Sequence, residues 1–129
     1  MTKVLVVEDE THIQRLIRLI LEKNGMTVDA VGNGEDALKY LQSESQHPDL
    51  VLLDILMPGI DGLSVLRTVK SNQTMKDIPI VMLTALAQES VVLQGIKLGA
   101  ADYIRKPFHP AELVKRVQKI LEGTKAQAS

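Results

Sequence analysis

Three short runs of Val, Ile and Leu without polar alternation restrict this chain to a narrow group of folds. The runs cover residues 3–7, 49–55 and 78–84, and two weaker candidates follow at residues 26–31 and 102–105. Strands of this composition are typical of sheets that are covered on both faces. The pattern therefore predicts a buried parallel sheet.

Helical periodicity fills the segments between these runs. One apolar stripe is predicted to face the core. It has i, i+3, i+4, i+7 and i+8 spacing and consists of Ile13, Leu16, Ile17, Ile20 and Leu21. The same spacing returns near the end of the chain at Leu113, Val117, Ile120 and Leu121. Shorter stripes mark three more helices, at Ala37, Leu38 and Leu41, at Leu63, Leu66 and Val69, and at Val92, Leu93 and Ile96. The alternation of strand and helix predicts a single α/β domain with helices on both faces of the sheet.

The fourth helix carries apolar residues on two faces. At 100° per residue one stripe contains Val92, Leu93, Ile96 and Ala100, and the other contains Val91 and Leu98. We expect one stripe to be core and the other to be an exposed interaction surface near Tyr103 and Arg105; the alternative is a frayed or shifted helix.

Turn residues and the chain length set the domain limits. Asn24-Gly25 and Gly99 are predicted to end helices, and Asp61 is predicted to cap the third helix. A chain of 129 residues accommodates one domain. We assign residues 1–122 to it and expect residues 123–129 to be a flexible tail or the start of a linker.

Composition removes several classes of function. The formal charge of −1 gives no basic excess, so direct nucleic-acid or membrane binding is not expected. The absence of cysteine excludes thiolate metal sites and thiol catalysis. The apolar runs are too short to span a bilayer, and no signal peptide opens the sequence, so we expect a cytoplasmic protein.

Acidic residues follow the strands at the edge where an α/β sheet binds its ligands. Glu8 and Asp9 follow the first strand, and Asp54 ends the third. A close pair of carboxylates repels by about 4 kcal/mol at an effective dielectric constant near 20, so without a cation one acid should protonate or move away. Oxygen-only ligands favour Mg²⁺, with Mn²⁺ as the alternative.

Magnesium beside carboxylates makes phosphoryl transfer the leading chemistry. Asp54 would be the nucleophile that forms an acyl phosphate. Lys106, after the fifth strand, would offset phosphate charge, and the Thr84 hydroxyl would donate a hydrogen bond to a phosphate oxygen. Ala85 is small enough to let the phosphate approach its backbone N–H.

Each of these residues also has a structural interpretation. Asp9 could cap the first helix, Asp54 could lead into a type II turn at residues 57–59, and Thr84 could be an ordinary strand residue. Lys106 could be a solvated surface charge. We favour the functional interpretation because the four residues share one edge of the sheet.

Four motifs give the chain a family resemblance. VLVVEDE, LVLLDILMPGIDG, IPIVMLTA and GAADYIRKPF, in this order and spacing, resemble the receiver domain of two-component response regulators. The resemblance implies a flavodoxin-like, doubly wound (βα)5 fold with strand order 2-1-3-4-5. It also implies that Asp54 is phosphorylated by a histidine kinase or a histidine phosphotransfer protein, and that the Lys106-Pro107 bond is cis.

The same resemblance assigns further roles. Asp9 and Asp54 would bind Mg²⁺ directly, Glu8 would help through water, and the Leu56 carbonyl would add a ligand. Thr84 and Tyr103 would be the conformational switch, with Lys106 as the phosphate partner. Such a domain catalyses only its own phosphorylation and dephosphorylation, so we do not expect a metabolic enzyme.

Its partners would be the phosphodonor, docking near Arg15 and Leu19, and a downstream effector protein or fused effector domain. A homodimer could form through the fourth helix, fifth strand and last helix, with charge pairs from Asp102, Glu112 and Arg116.

Two features depart from the commonest family pattern. Glu8 stands where Asp is more frequent, which leaves its exact role open. Leu56 and Leu86, each two residues beyond a site residue, are apolar, and we hypothesise that they prolong the phosphorylated state by disfavouring an ordered attacking water.

Three other functions fit the sequence less well. A flavodoxin-type electron carrier would need a phosphate-binding loop where this chain has EDETH. A phosphatase of the haloacid-dehalogenase type would need an Asp-x-Asp pair, but Leu56 stands two residues after Asp54. A pseudo-receiver that only binds proteins is disfavoured because every catalytic position is filled.

Overall fold

The computed structural model describes residues 2–43, 47–57, 59–85 and 89–128. Strands and helices alternate through these residues, as the apolar periodicity predicts. The strands are β1 (Lys3–Val7), β2 (Thr27–Val31), β3 (Leu50–Asp54), β4 (Ile80–Thr84) and β5 (Asp102–Arg105). The helices are α1 (Thr11–Lys23), α2 (Gly34–Gln42), α3 (Gly62–Lys70), α4 (Glu89–Leu98) and α5 (Pro110–Ala128).

The five strands form one parallel sheet in the order β2-β1-β3-β4-β5. This confirms the expected doubly wound order. The chain reverses direction across the sheet between β1 and β3, which are hydrogen-bonded neighbours. The crevice at such a reversal is where open α/β sheets bind ligands. The fold thus directs attention to the carboxyl ends of β1 and β3.

Apolar side chains fill both sides of the sheet. One core lies between the sheet, α1 and α5, and the other between the sheet, α2, α3 and α4. All five residues of β3 and of β4 are buried. This double coverage explains why their sequences lack polar alternation.

Local capping follows the sequence predictions. The Asp61 side chain accepts a hydrogen bond from the Ser64 backbone N–H at 2.8 Å and caps α3. Gly25 and Gly99, which follow α1 and α4, have positive φ angles of 83° and 107°. A left-handed residue after a helix is the common way to end it, and glycine adopts that conformation without strain.

One sequence expectation needs correction. Leu16 is 44% exposed although its stripe is otherwise core, because five apolar positions cover a wider arc of α1 than the sheet contacts. In α4 one stripe is core and the other exposed, as expected: Val91 and Leu98 pack inward, whereas Leu93 and Ile96 face outward. Helix α5 continues to Ala128, and the assignment of residues 123–129 to a flexible tail or the start of a linker stays a prediction.

No helix in the described part of the chain combines the length and apolar character that a bilayer crossing requires. The expected cytoplasmic location stays a prediction.

Close backbone packing holds the start of α3 against the end of β3. Gly62 donates its backbone N–H to the Ile55 carbonyl oxygen at 3.0 Å. A Cβ atom at position 62 would lie 2.5 Å from the Asp54 carbonyl oxygen and 2.7 Å from Ile55 Cα. Glycine at this position therefore lets α3 approach the backbone that carries Asp54.

Replacing Gly62 with alanine is expected to lower the free energy of unfolding by at least about 1 kcal/mol, because the new methyl group meets backbone atoms that cannot rotate away. Urea unfolding followed by circular dichroism measures this loss. Gly123→Ala is the matched control, since a Cβ there meets open space within α5. Equal stability of the two variants would contradict the packing account.

Candidate functional site

Two acidic residues lie side by side at the carboxyl edge of the sheet. Asp54 is the last residue of β3, and Glu8 directly follows β1. The register pairs Val7 with Leu53, so the two acids leave neighbouring strands at the same level. Both are buried, with Asp54 only 3% exposed. The topology therefore concentrates negative charge where solvent is scarce.

Asp9 completes a cluster of three carboxylates. One oxygen each from Glu8, Asp9 and Asp54 lies within 4.8 Å of the others, while Asp9 itself is exposed to solvent. Oxygen donors that leave room for water suit Mg²⁺, which retains part of its hydration shell in proteins. The donor set present therefore fits a magnesium ion.

Lys106 lies against this cluster from the β5 side. Its Nζ contacts Glu8 Oε1 and lies 3.2 Å from Asp54 Oδ2, and its side chain is only 13% exposed. Burial lowers the pKa of Lys106, but the hydrogen bond to Glu8 and the charge of Asp54 outweigh it, so the pKa is raised. Lys106 is thus a largely buried cation and not the solvated charge of the structural alternative.

Glu8 shows the electrostatic cost of crowding the acids. Burial, together with the hydrogen bond to Asp54, raises the pKa of Glu8 to about 7, although Lys106 acts in the opposite direction. This agrees with the expectation that one acid protonates or moves away when no cation is bound. Glu8 is the acid that tends to protonate, and Asp9 is the acid that faces solvent.

The β3–α3 loop supports the Asp54 carboxylate from its other side. The Leu56 N–H donates a hydrogen bond to Asp54 Oδ1 at 3.2 Å. The Leu56 side chain is 57% exposed beside the site. The role of its carbonyl as a metal ligand stays a prediction. Pro58, in the predicted turn, and Leu86 lie outside the described residues.

The ends of β4 and β5 bring the remaining predicted residues to the same edge. Thr84 is buried, and its carbonyl oxygen accepts the Lys106 backbone N–H at 2.7 Å. Ala85, the next residue, is exposed. The Lys106-Pro107 peptide bond is cis, as the family resemblance implies. The catalytic, switch and phosphate-binding roles of these residues stay predictions.

Tyr103 lies on β5 beside a charge cluster. It is half-buried, it pairs in register with Met82, and its ring centroid lies 6.0 Å from the Arg116 guanidinium carbon. Arg116 also contacts Asp102 at 3.0 Å and Glu112 at 3.1 Å. The charges expected to pair across a dimer are therefore paired within one chain.

The structure removes a second structural alternative, the capping role of Asp9, and adds a residue that sequence analysis missed. The N-cap of α1 is Glu10 and not Asp9, and Glu10 makes no capping hydrogen bond through its side chain. Gln14, in the first turns of α1, donates from Nε2 to the backbone carbonyl oxygens of Glu8 and Val31. A single glutamine in an amphipathic helix carries no local signal of such a role.

Comparison with known proteins agrees with this geometry. The model of the response regulator receiver domain matches residues 4–118. The transcriptional regulatory protein ResD of Bacillus subtilis is 45% identical over 121 residues, which cover 93% of this chain and 48% of ResD. The chain spans about half the length of the curated relatives it matches.

Solved structures of similar size share the fold. The chemotaxis protein CheY4 of Vibrio cholerae is 30% identical with a TM-score of 0.85, and the match covers 92% of this chain and 98% of that one. The signal receiver domain of a histidine kinase from Syntrophus aciditrophicus is 32% identical with a TM-score of 0.86, covering 95% and 92%. This chain belongs to the receiver domain family of two-component response regulators.

Proposed function

We propose that this domain accepts a phosphoryl group on Asp54 from the phosphohistidine of a histidine kinase or a histidine phosphotransfer protein. The observation that carries the proposal is the convergence of the Glu8, Asp9 and Asp54 oxygens within 4.8 Å of one another, with Lys106 Nζ 3.2 Å from Asp54. Asp54 would supply the attacking oxygen, the three carboxylates together suit a divalent cation, and the largely buried Lys106 ammonium group would offset part of the charge of the incoming anionic group.

In the proposed transfer, an Asp54 carboxylate oxygen forms a bond to phosphorus. The bond between phosphorus and the donor histidine nitrogen breaks and its electron pair stays on that nitrogen; because the donor ring is protonated on its other nitrogen, this leaves an acyl phosphate on the protein and a neutral imidazole on the donor. Lys106 offsets the charge of the phosphoryl group, and the Thr84 hydroxyl and Ala85 N–H donate hydrogen bonds to its oxygens.

Glu8, Asp9, Asp54 and the Leu56 carbonyl would hold Mg²⁺, or Mn²⁺ in its place. The bound ion supplies positive charge that neutralises the phosphate oxygens. The acids provide the anionic oxygens that such an ion requires, and Lys106 provides a fixed cation on the β5 side of Asp54. In this proposal the domain catalyses only its own phosphorylation and dephosphorylation and acts on no metabolic substrate.

Phosphorylation is proposed to switch the surface formed by α4, β5 and α5. The outward Leu93 and Ile96 are 56% and 49% exposed, and Tyr103 lies half-buried on the neighbouring strand. A downstream effector protein, a fused effector domain or a second copy of the chain would bind there. Such a module responds by changing which partner it favours in each state.

A small phosphodonor tests this function directly. Incubation with acetyl phosphate and Mg²⁺ is expected to add one phosphoryl group, detected by intact mass spectrometry and removed by hydroxylamine. EDTA is expected to suppress the addition at least about tenfold, because the acids then have no divalent cation to offset their repulsion. An unchanged mass with Mg²⁺ would refute phosphoacceptor function, and rapid release of phosphate with no adduct detected at any time would favour a phosphatase.

The Leu56 side chain is predicted to influence the lifetime of the phosphorylated form. Replacement of Leu56 with asparagine is expected to shorten that lifetime several-fold, because a polar side chain can orient the hydrolysing water beside Asp54. The decay of the phosphorylated mass after donor removal measures this rate. Leu16→Asn, at an exposed leucine on α1 outside the proposed output surface, is the matched control. An equal lifetime for wild type and Leu56→Asn would contradict the hypothesis.

A further inference from the structure

The Gln14 side chain ties together the ends of two neighbouring strands. Its Nε2 atom lies 2.5 Å from the Glu8 carbonyl oxygen and 3.1 Å from the Val31 carbonyl oxygen. Val31 is the last residue of β2, and Glu8 directly follows β1. The Glu8 backbone N–H donates to the same Val31 oxygen at 3.1 Å. One side-chain amide therefore connects α1 to both strand ends.

The residue type matters at this position. The side-chain nitrogen of glutamine carries two N–H donors, so a single atom can serve two carbonyl groups. Glutamate at neutral pH offers only acceptors, and methionine of similar length offers no donor at all. The backbone after β1 thus receives from Gln14 a constraint that the helix alone does not provide.

The constrained backbone is the segment that carries the acids. The Glu8 carbonyl belongs to the peptide group that joins Glu8 to Asp9, so its orientation fixes the direction in which the Asp9 backbone leaves. Asp9 is exposed, whereas Glu8 and Asp54 are buried. The position of the Asp9 carboxylate relative to the other two therefore depends on this peptide.

We propose that Gln14 is a positioning residue for the metal ligands, which fixes the Glu8–Asp9 peptide so that the Asp9 carboxylate meets those of Glu8 and Asp54. This inference rests on the proposed function, because it assigns a role toward the divalent cation. Residues that orient metal ligands typically change metal affinity by 10-fold to 100-fold when they are replaced.

The test measures metal affinity and not phosphorylation. Mn²⁺ is titrated into the full chain and followed by water proton relaxation, with circular dichroism showing that each variant is folded. Gln14→Met is expected to weaken Mn²⁺ binding at least about 10-fold. Gln118→Met is the matched control, because Gln118 is exposed on α5, and it should bind Mn²⁺ within about twofold of wild type.

A double-mutant cycle separates positioning from general stability. If Gln14 acts by orienting Asp9, Gln14→Met should have much less effect on Mn²⁺ affinity when Asp9→Asn is already present. The same factor in both backgrounds would overturn the inference. Should Gln14→Met fail to fold, Gln14→Asn keeps the amide on a shorter arm and is expected to give intermediate affinity; wild-type affinity for Gln14→Asn would also overturn it.

The outcomes distinguish this inference from the proposed function. If wild type and Asp9→Asn bind Mn²⁺ equally, the assignment of the acidic site itself is wrong. If Asp9→Asn weakens binding but Gln14→Met does not, the acidic site stands and only the role of Gln14 is wrong.

Discussion

Asp54→Asn is expected to abolish the hydroxylamine-labile phosphoryl adduct. The amide is nearly isosteric with the carboxylate, but it lacks the anionic oxygen that attacks phosphorus. Asp54 ends a buried strand and contacts Lys106 across the site. We therefore expect no phosphorylated species by intact mass spectrometry after incubation with acetyl phosphate and Mg²⁺.

Asp77→Asn provides the matched control for this substitution. Asp77 is exposed in the α3–β4 connection, so its amide should leave phosphorylation unchanged. Peptide mapping of the wild-type adduct is a second check, and it should locate the phosphoryl group on the peptide that contains Asp54. A labile phosphoryl group that persists in Asp54→Asn would place the acceptor elsewhere and end the proposed mechanism.

Glu8→Gln is expected to stabilise the metal-free domain at alkaline pH. The pKa of Glu8 is raised from 4.5 to about 7 in the folded protein. A carboxyl group with a raised pKa contributes stability below its unfolded pKa, and this contribution is lost as the pH rises through the folded pKa. The free energy of unfolding of wild type should therefore fall between about pH 5 and pH 8. Glu8→Gln cannot titrate at this position, so its free energy of unfolding should lack this decrease.

The difference in the free energy of unfolding between Glu8→Gln and wild type follows from the shift in the pKa of Glu8. One pKa unit corresponds to about 1.4 kcal/mol, so Glu8→Gln should raise the free energy of unfolding on the order of 1 to 3 kcal/mol near pH 8 and change it little near pH 5. Urea unfolding in EDTA measures both values. Glu22→Gln, an exposed position on α1, should show no such pH dependence.

Mg²⁺ should act against the stability advantage of Glu8→Gln over wild type. The wild-type carboxylate gains a cationic partner, whereas the glutamine side chain offers only a neutral oxygen. Wild type should therefore be stabilised more than Glu8→Gln when Mg²⁺ is added. If Glu8→Gln instead has a lower free energy of unfolding than wild type in EDTA at pH 8, the Lys106 contact of Glu8 outweighs the repulsion between the acids, and the prediction is wrong.

The alternation of strands and helices and the coverage of both faces of the sheet could be predicted because the dominant signal is local, whereas the strand order was implied only by the family resemblance. Runs such as Leu50 to Leu53 are apolar on both faces, and only a doubly covered sheet buries them. The faces of α4 were harder to assign, because a helix with apolar residues on opposite sides gives no direction. The contact between Gly95 and Met82 shows which face points inward. A Cβ at position 95 would lie 2.1 Å from Met82 Sδ, so the face of α4 that carries Gly95 lies directly against β4.

The acidic cluster could be predicted from topology, since strand ends of a parallel sheet meet at one edge. The sequence could not reveal that Lys106 contacts two acids at once, because that geometry depends on side chains 52 and 98 residues apart along the chain. The Gln14 contacts are likewise invisible in a helix pattern. Long-range side-chain geometry is what the pattern of apolar residues leaves undetermined.

The internal pairing of Arg116 has a thermodynamic consequence for self-association. Because Asp102 and Glu112 already neutralise this guanidinium group in the isolated chain, a symmetric dimer on that face would exchange ionic partners without increasing their number. Added salt would then weaken both states alike, and the affinity would depend little on ionic strength. Dehydration of the outward aliphatic groups on α4 would have to drive assembly.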